Sequence, residues 1–298
     1  MNLNHLAIFH AVAEAGSMTL GAERLDISQP AVSKQVQELE RALKVPLFDR
    51  IGRRVHLSQA GEMLAMYARL LFAMVREAEE VMADLRTVKR GRLLIGASTT
   101  IGTYLLPGVV AEFFRRHPDV ELLVEIGNTQ QIHARLARLE LDIGLTEGFV
   151  EEPELEGEVF HRDELVVIAP PKHRLAKKRR VPTSALRNEP FILREPGSGT
   201  REVEERALER LKLPVRAVMA LGSTEGIKRV VAEGVGLAIV SKLAIKAECA
   251  GGVVAVLPVT GLRIERPLHI VRRKGRRDGP VLQAFCEVLL EKTAAQFG

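Results

Sequence analysis

The chain has 298 residues, 46% of them hydrophobic and 27% charged, which is the balance of a globular protein and excludes a disordered one. That length accommodates two domains or three small ones. The net charge of +5 suits a nucleic-acid partner without requiring one; no apolar run approaches a membrane span, and MNLNHLAIFHAV lacks the basic leader and cleavage site of an export signal.

Residues 3–15 predict a first helix with Leu3, Leu6, Phe9, Val12 and Ala13 on its inner side, closed by Gly16. Residues 19–43, TLGAERLDISQPAVSKQVQELERAL, predict two short helices joined by a tight turn. The first holds Leu20, Ala22 and Leu25, with Ser17 or Thr19 free to cap it. The second starts at Ser28 and carries Pro30 in its first turn, where a missing N–H costs nothing. Ala31, Val32, Val36, Leu39 and Leu43 recur at helical spacing as a buried stripe. The opposite face offers Gln29, Ser33, Lys34 and Gln37, hydrogen-bonding side chains near a helix N-terminus, as reading base edges in a major groove requires. A plain amphipathic helix pair satisfies the same pattern.

Residues 44–46 stop that helix, and Leu47-Phe48 with Val55-His56-Leu57 predict two short strands. Arg50, Arg53 and Arg54 fall on the turn between them, a wing suited to phosphates or the minor groove. Residues 1–58 hold seven basic against six acidic side chains, so this reading rests on where the charges sit. From 59 to 89 there is no proline and only Gly61. Leu64, Leu71, Ala78 and Leu85 repeat every seven residues, followed three positions on by Tyr67, Met74, Val81 and Val88. This a/d seam is too long to bury against a small winged domain, and it predicts a partner helix from a second subunit.

Lys89-Arg90-Gly91-Arg92 marks a boundary. Beyond it strands and helices alternate, the pattern of a parallel sheet with crossover helices. Strands are predicted at 93–97, 120–126, 142–145, 165–169, 191–193, around 218, at 237–240 and at 268–271. Helices are predicted at 101–117 and 130–139, from Arg201, from Glu225 and after Pro280. Composition leaves open whether the strands make one sheet or two.

Ser98-Thr99-Thr100, Gly197-Ser198-Gly199-Thr200 and Gly222-Ser223-Thr224 each follow a strand and open a helix. Each supplies hydroxyls and backbone N–H groups at a positive helix end, an anion-binding device that also reads as a simple cap. Ligands of open α/β sheets bind beyond strand C-termini, so three such ends at one cleft predict a small anionic metabolite. Arg194 or Arg201 adds a charge-assisted bond; Glu147 and Glu195 repel anions, and accept from ligand hydroxyls or hold an arginine instead.

An enzyme finds little support. Pro196 stands where GxSxG needs its first glycine, no phosphate-binding GxxxxGK[ST] occurs, and strand-like residues follow Gly234-Val235-Gly236. The eight histidines show no metal-ligand spacing. Cys249 and Cys286 lie far apart without a CxxC, which points to a reducing compartment, with Cys286 in an apolar run. A transport solute-binding protein would account for residues 91–298 but not for the first 90. The clusters Lys177-Lys178-Arg179-Arg180 and Arg272-Arg273-Lys274 with Arg276-Arg277 read first as solvated loops, and second as a further DNA or subunit contact.

Residues 3–61, above all SQPAVSKQVQELE followed by LFDR and LSQAG, resemble the winged helix-turn-helix of LysR-type transcriptional regulators, and the layout of the whole chain is similar to theirs. The pattern usually has an aromatic at Met18 and a threonine at Ser58. The resemblance implies a multidomain protein: a winged helix-turn-helix over 1–58, a linker or dimerisation helix over 59–90, and a periplasmic-binding-protein-like α/β effector-binding domain over 91–298. Its subdomain I would hold 91–162 with 267–298, and subdomain II 163–266. Gln29, Pro30, Ser33, Lys34, Gln37, Arg50, Arg53 and Arg54 would contact DNA. Ser98, Thr99, Thr100, Thr129, Thr146, Glu147, Thr200, Arg201 and Thr224 would hold the effector. Leu64, Tyr67, Leu71, Met74, Val81 and Leu85 would dimerise. Operator DNA and RNA polymerase are the implied partners of a cytoplasmic dimer or tetramer without membrane, metal, cofactor or catalysis. The segments GASTTIGTYLLP, EIGNT, LDIGLTEG and FILREPGSGTRE resemble most closely the branch that controls carbon-fixation and cysteine or sulfite-reduction operons.

Overall fold

The Asn2 side chain accepts from the Asn4 N–H at 2.8 Å and so starts α1 (Leu3–Ala15), which ends at Gly16. Ser17 caps α2 (Met18–Arg24), and α3 (Gln29–Leu43) follows Ser28 with Pro30 in its first turn. The Glu40 carboxylate then accepts from the Leu47 N–H at 2.7 Å, satisfying a donor where the chain turns out of the helix. β1 (Phe48–Ile51) and β2 (Arg54–Leu57) form an antiparallel hairpin, and α4 (Gln59–Asp84) follows. The computed structural model describes residues 2–51, 54–84 and 91–297 of the chain, which divides into two units, 1–82 and 83–298.

Ser58 joins the wing to α4. Its hydroxyl donates to the Pro46 carbonyl at 2.7 Å and accepts from the Gly61 N–H at 3.0 Å. Threonine carries the same hydroxyl, so serine at this position keeps the chemistry. Gly61 is required by close approach: a Cβ there would collide with the Leu47 carbonyl oxygen. Leu6, Phe9, Leu39, Leu47, Ala65 and Ala68 are buried together, and Ile8, Val12, Ala22, Val32 and Val36 form a second cluster. Leu3 and Leu20, expected inside, are 57% and 50% exposed; both stand in the first turn of their helices, ahead of the buried stripe.

The heptad seam on α4 is divided. Leu64 and Leu71 pack on the unit's own core, while Tyr67 and Met74 are exposed together with Met63 and Met82. The first turns of α4 therefore complete the winged domain, which sequence periodicity assigned to a partner. Val81 is described in its backbone only, and Leu85 and Val88 lie outside the described residues.

The second unit begins with β3 (Gly91–Ser98), α5 (Thr99–Tyr104), α6 (Leu106–Arg116), β4 (Val120–Gly127), α7 (Thr129–Ala137) and β5 (Ile143–Glu147). The helix predicted over 101–117 is thus two, broken at Leu105, because Pro107 has no N–H to continue the ladder. There follow β6 (Leu155–Ala169), β7 (Val181–Pro182), β8 (Pro190–Arg194), α8 (Gly199–Arg210), β9 (Arg216–Leu221), α9 (Thr224–Ala232) and β10 (Ala238–Ser241). Then come α10 (Lys246–Ala250), β11 (Ala255–Val256), β12 (Val259–Thr260), β13 (Ile264–Arg273) and α11 (Pro280–Phe297).

β6 starts at Leu155, well before the predicted 165. Residues 156–164, EGEVFHRDE, carry no apolar alternation; they are a strand because they pair with β13, from Ile264 opposite Leu165 to Arg273 opposite Leu155. One path of strands runs β10-β6-β13-β5-β3-β4, with β11 also on β6 and with β8 and β9 as a separate parallel pair. Two large apolar cores pack on these strands, with smaller clusters around Ile168, Ile192 and Ile227 and around Ile132, Leu136 and Leu155. Ile95, Ile101, Phe113, Leu145, Leu268 and Phe285 belong to the first; Leu165, Val167, Phe191, Val203, Leu237 and Ile239 belong to the second. β6 and β13 pass through both, and Asp163 pairs with Arg266 in register near the crossing.

Cys286 lies in the first core, where burial pushes its thiol up to about 11, and Cys249 is exposed. The cluster near 272–276 departs from the solvated loop that was expected. Arg272 bonds Asp278 at 2.8 Å, Lys274 donates to the Pro153 carbonyl at 2.7 Å, and Arg276 bonds Asp142 at 2.5 Å. These cations fasten the end of β13 to the loops around it. Lys177, Lys178, Arg179 and Arg180 are exposed. No helix among the described residues is long and apolar enough to cross a membrane.

Candidate DNA-reading face and effector cleft

In α3 the buried residues Val32, Val36 and Leu39 leave the other side of the helix free. Gln29, Pro30, Lys34 and Gln37 are exposed there and Ser33 is half-buried, with Gln29 Nε2 donating to Ser33 Oγ at 2.9 Å. Ser28 makes no side-chain cap, so the first N–H groups of α3 stay free for an outside acceptor. Arg50 and Arg54 are placed in backbone register next to the hairpin tip, and Arg53 lies outside the described residues.

In the second unit, the ends of β3, β5 and β13 and the start of α8 converge on one carboxylate. Glu147 is 2% exposed and bonds Ser98 Oγ. It also accepts from Thr100 Oγ1 at 3.5 Å and Thr200 Oγ1 at 3.3 Å, and lies 3.2 Å from Arg266 Nη1. Arg266 is fully buried; it donates from Nε to Asp163 at 2.8 Å and from Nη1 to Thr200 Oγ1 at 2.6 Å. Gly199 makes this approach possible, since a Cβ there would collide with the Glu147 carbonyl oxygen, and its N–H donates to Thr129 Oγ1 at 3.2 Å. Two buried carboxylates thus share one buried guanidinium, and the hydroxyls of Ser98, Thr100 and Thr200 bond Glu147 as well; pairing and hydrogen bonding of this kind are what allow buried charges to be tolerated.

A second guanidinium lies on another side of the crossover. Arg194 is 2% exposed at the end of β8; its Nη1 donates to Thr224 Oγ1 at 3.2 Å and its Nη2 to Thr99 Oγ1 at 3.4 Å. Glu195 takes Nε and Nη2 at 2.8 and 2.9 Å. Nearby, Tyr104 Oη bonds the Glu225 carboxylate, and burial pushes the phenol up to about 12.

A cleft of about 410 Å³ opens between the first turns of α7 and α8, lined by Thr129, Gln130, His133, Phe149, Glu152, Ser198, Arg201 and Glu202 among others. His133 Nδ1 is 2.9 Å from Glu152, and its Nε2 is 2.9 Å from Thr146 Oγ1. Arg201 donates to the Arg194 carbonyl at 3.1 Å and pairs with Glu205 at 2.7 Å. Of the nine effector residues implied by resemblance, Thr129 and Arg201 border this cleft. Ser98, Thr100 and Thr200 meet at Glu147, which pairs with Arg266; Thr99 and Thr224 meet at Arg194, and Thr146 holds His133.

Sequence reasoning missed Asp163 and Arg266. An aspartate and an arginine in strands otherwise facing two apolar cores are the only signal they give. It also missed Glu204, 1% exposed on α8, neither of whose carboxylate oxygens finds a partner among the described residues. Burial, reinforced by Glu205, raises its pKa well above the usual carboxylate range. The unfolded chain ionises this group near pH ~4.3, so above that the folded state binds more protons and stability falls as pH rises. Glu204→Gln removes this contribution. The variant is expected to lose less stability than the unsubstituted chain between about pH 5 and 8, read by urea melts of the second unit; identical pH slopes would show that Glu204 is satisfied and ionised.

Two family models cover nearly the whole chain: the bacterial regulatory helix-turn-helix protein, lysR family, over residues 3–62, and the LysR substrate binding domain over residues 86–294. A RuBisCO operon transcriptional regulator of Allochromatium vinosum is 36% identical across 99% of this chain and 97% of its own length. The regulatory domain of Synechocystis PCC6803 CcmR, solved in complex with 2-PG, is 32% identical, with a TM-score of 0.64 over 68% of this chain and 97% of that one. Full-length OxyR from Pseudomonas aeruginosa superposes with a TM-score of 0.77 at 26% identity, covering 98% of this chain and 97% of that one. An exposed polar face on the third helix of a winged domain, joined to an α/β domain with a cleft between α7 and α8, is the layout of a regulator and not of an enzyme; the chain belongs to the LysR family of DNA-binding transcriptional regulators.

Proposed function

We propose that this regulator reads operator DNA through Gln29, Ser33, Lys34 and Gln37 on α3, with Pro30 setting the start of the helix and Arg50, Arg53 and Arg54 of the wing on the phosphates. A small anionic metabolite binds at the subdomain crossover and changes subdomain closure, and with it the spacing of paired recognition helices and the recruitment of RNA polymerase. The assembly is a cytoplasmic homodimer or homotetramer built on the exposed Tyr67 and Met74 face of α4, and it requires no cofactor. The observation that carries the effector half is the gathering of hydroxyls from β3–α5, α7, α8 and α9 around two buried guanidinium groups, Arg266 with Glu147 and Arg194 with Glu195. A ligand that binds one degree of closure better than another shifts the equilibrium between them. The named carbon-fixation relatives and the 2-PG complex of CcmR support a small phosphorylated or carboxylated acid as the effector.

The test is operator binding by fluorescence anisotropy, using DNA upstream of the chain's own gene and a random duplex of equal length, with and without 2-PG. Gln29→Ala and Ser33→Ala are each expected to weaken the operator complex by about 1–3 kcal/mol while leaving random DNA unaffected. Equal weakening on both duplexes would reassign α3 to backbone contact.

A further inference from the structure

Two guanidinium groups are buried in the effector domain, and they differ in what neutralises them. Arg266 is held by Glu147 and Asp163, both shut away from solvent. Among the described residues Glu195 is the one carboxylate on Arg194, through a two-pronged pair at 2.8 and 2.9 Å, and the Glu195 side chain is 22% exposed. A carboxylate in that position can swing out by side-chain rotation, while its backbone stays tied to the Leu221 carbonyl at 3.2 Å. The neighbouring Gly222 leaves room for this, since a Cβ there would come no closer than 4.0 Å to the Glu195 carboxyl carbon.

We propose that Arg194 is the seat for the effector's oxyanion and that Glu195 is its built-in occupant, which the effector's carboxylate or phosphate displaces. A guanidinium buried to this degree needs an anionic partner at all times, and its planar fork accepts a carboxylate or a phosphate in the same two-pronged geometry. Exchanging one oxyanion for another conserves charge and hydrogen bonds; a neutral alcohol or a cation does neither, and is rejected. The hydroxyl oxygens of Thr224 on α9 and Thr99 on α5 already accept from the same guanidinium, on opposite sides of the subdomain boundary implied by family resemblance. An anion on Arg194 is thereby placed where both subdomains can touch it, so its arrival bears on closure. Glu195 sets the threshold: it competes with weak anions and yields to those that bind the guanidinium more tightly. This inference rests on the effector reading above and names the chemistry of its site.

The experiment is calorimetric titration of the full-length chain with inorganic phosphate at constant ionic strength. Glu195→Gln keeps the size of the side chain and removes the competing charge, and it is expected to tighten phosphate binding by roughly tenfold or more, the worth of one charge-assisted bond. Adding Thr99→Val and Thr224→Val to that variant is expected to erase the gain. Should Glu195→Gln fold poorly, Glu195→Asp, which keeps the charge but shortens its reach, is expected to give a smaller gain in the same direction. Phosphate affinity that is the same with and without the Glu195 carboxylate overturns the proposal, as does a gain that survives loss of both threonines. Operator binding and its response to a metabolite are measured on the same variants, so the seat can fail while the regulator reading stands.

Discussion

Replacing Arg266 with methionine is expected to destabilise the effector domain by about 3–5 kcal/mol, the cost of leaving buried charges without their partner. Glu147 and Asp163 would be left charged at 2% and 4% exposure, with hydroxyl donors remaining on Glu147. For a unit of this size the loss corresponds to a melting temperature lower by roughly 6–20 °C. A methionine matches the arginine stem in volume, so packing alone predicts little change. Changing Glu147, Asp163 and Arg266 together to apolar residues of similar size is expected to restore most of the stability, because the desolvation cost disappears along with the attraction. A single variant that melts within a degree of the unsubstituted chain would mean that water reaches the cluster and the ion pairs are screened.

Phe9→Ala is expected to abolish operator binding without touching an interface residue. The ring is fully buried, lies 5.3 Å from that of Phe48, and packs with Leu39, Leu47 and Ala65, so it ties α1 to the recognition helix, the wing and α4. Deleting a buried phenylalanine costs about 3–5 kcal/mol. A unit of 82 residues has a total stability on the order of 4–12 kcal/mol, so its folded fraction collapses near physiological temperature. Calorimetry should show the transition of the first unit lowered and that of the second unmoved. Full operator affinity at 37 °C in the variant would show that α1 is dispensable to the placement of α3.

The DNA-reading half was legible because its signals are local. Ser28, Pro30 and the spacing of Val32, Val36 and Leu39 fix where α3 starts and which side it buries, and the outward side follows by geometry. The linker helix shows the limit of that logic. A seven-residue repeat states that two stripes are apolar but not which neighbour covers each, and Leu64 and Leu71 turn inward while Tyr67 and Met74 stay out. The strand over 155–164 was invisible for a related reason: its side chains carry no period, and its backbone becomes a strand by pairing with residues a hundred positions away.

By itself the sequence determined the order of the parts, the face of α3 that meets the outside, and the three hydroxyl-bearing helix starts, since each depends on residues within a few turns of one another. Only the tertiary structure decided how those helix starts divide their labour. Thr100 and Thr200 serve Glu147 and Arg266, whereas Thr99 and Thr224 serve Arg194, and the partners come from β5, β8 and β13, far away in the chain. Coulomb and hydrogen-bond energies act through space, so the choice of partner for a buried charge is made when strands distant in sequence are brought side by side.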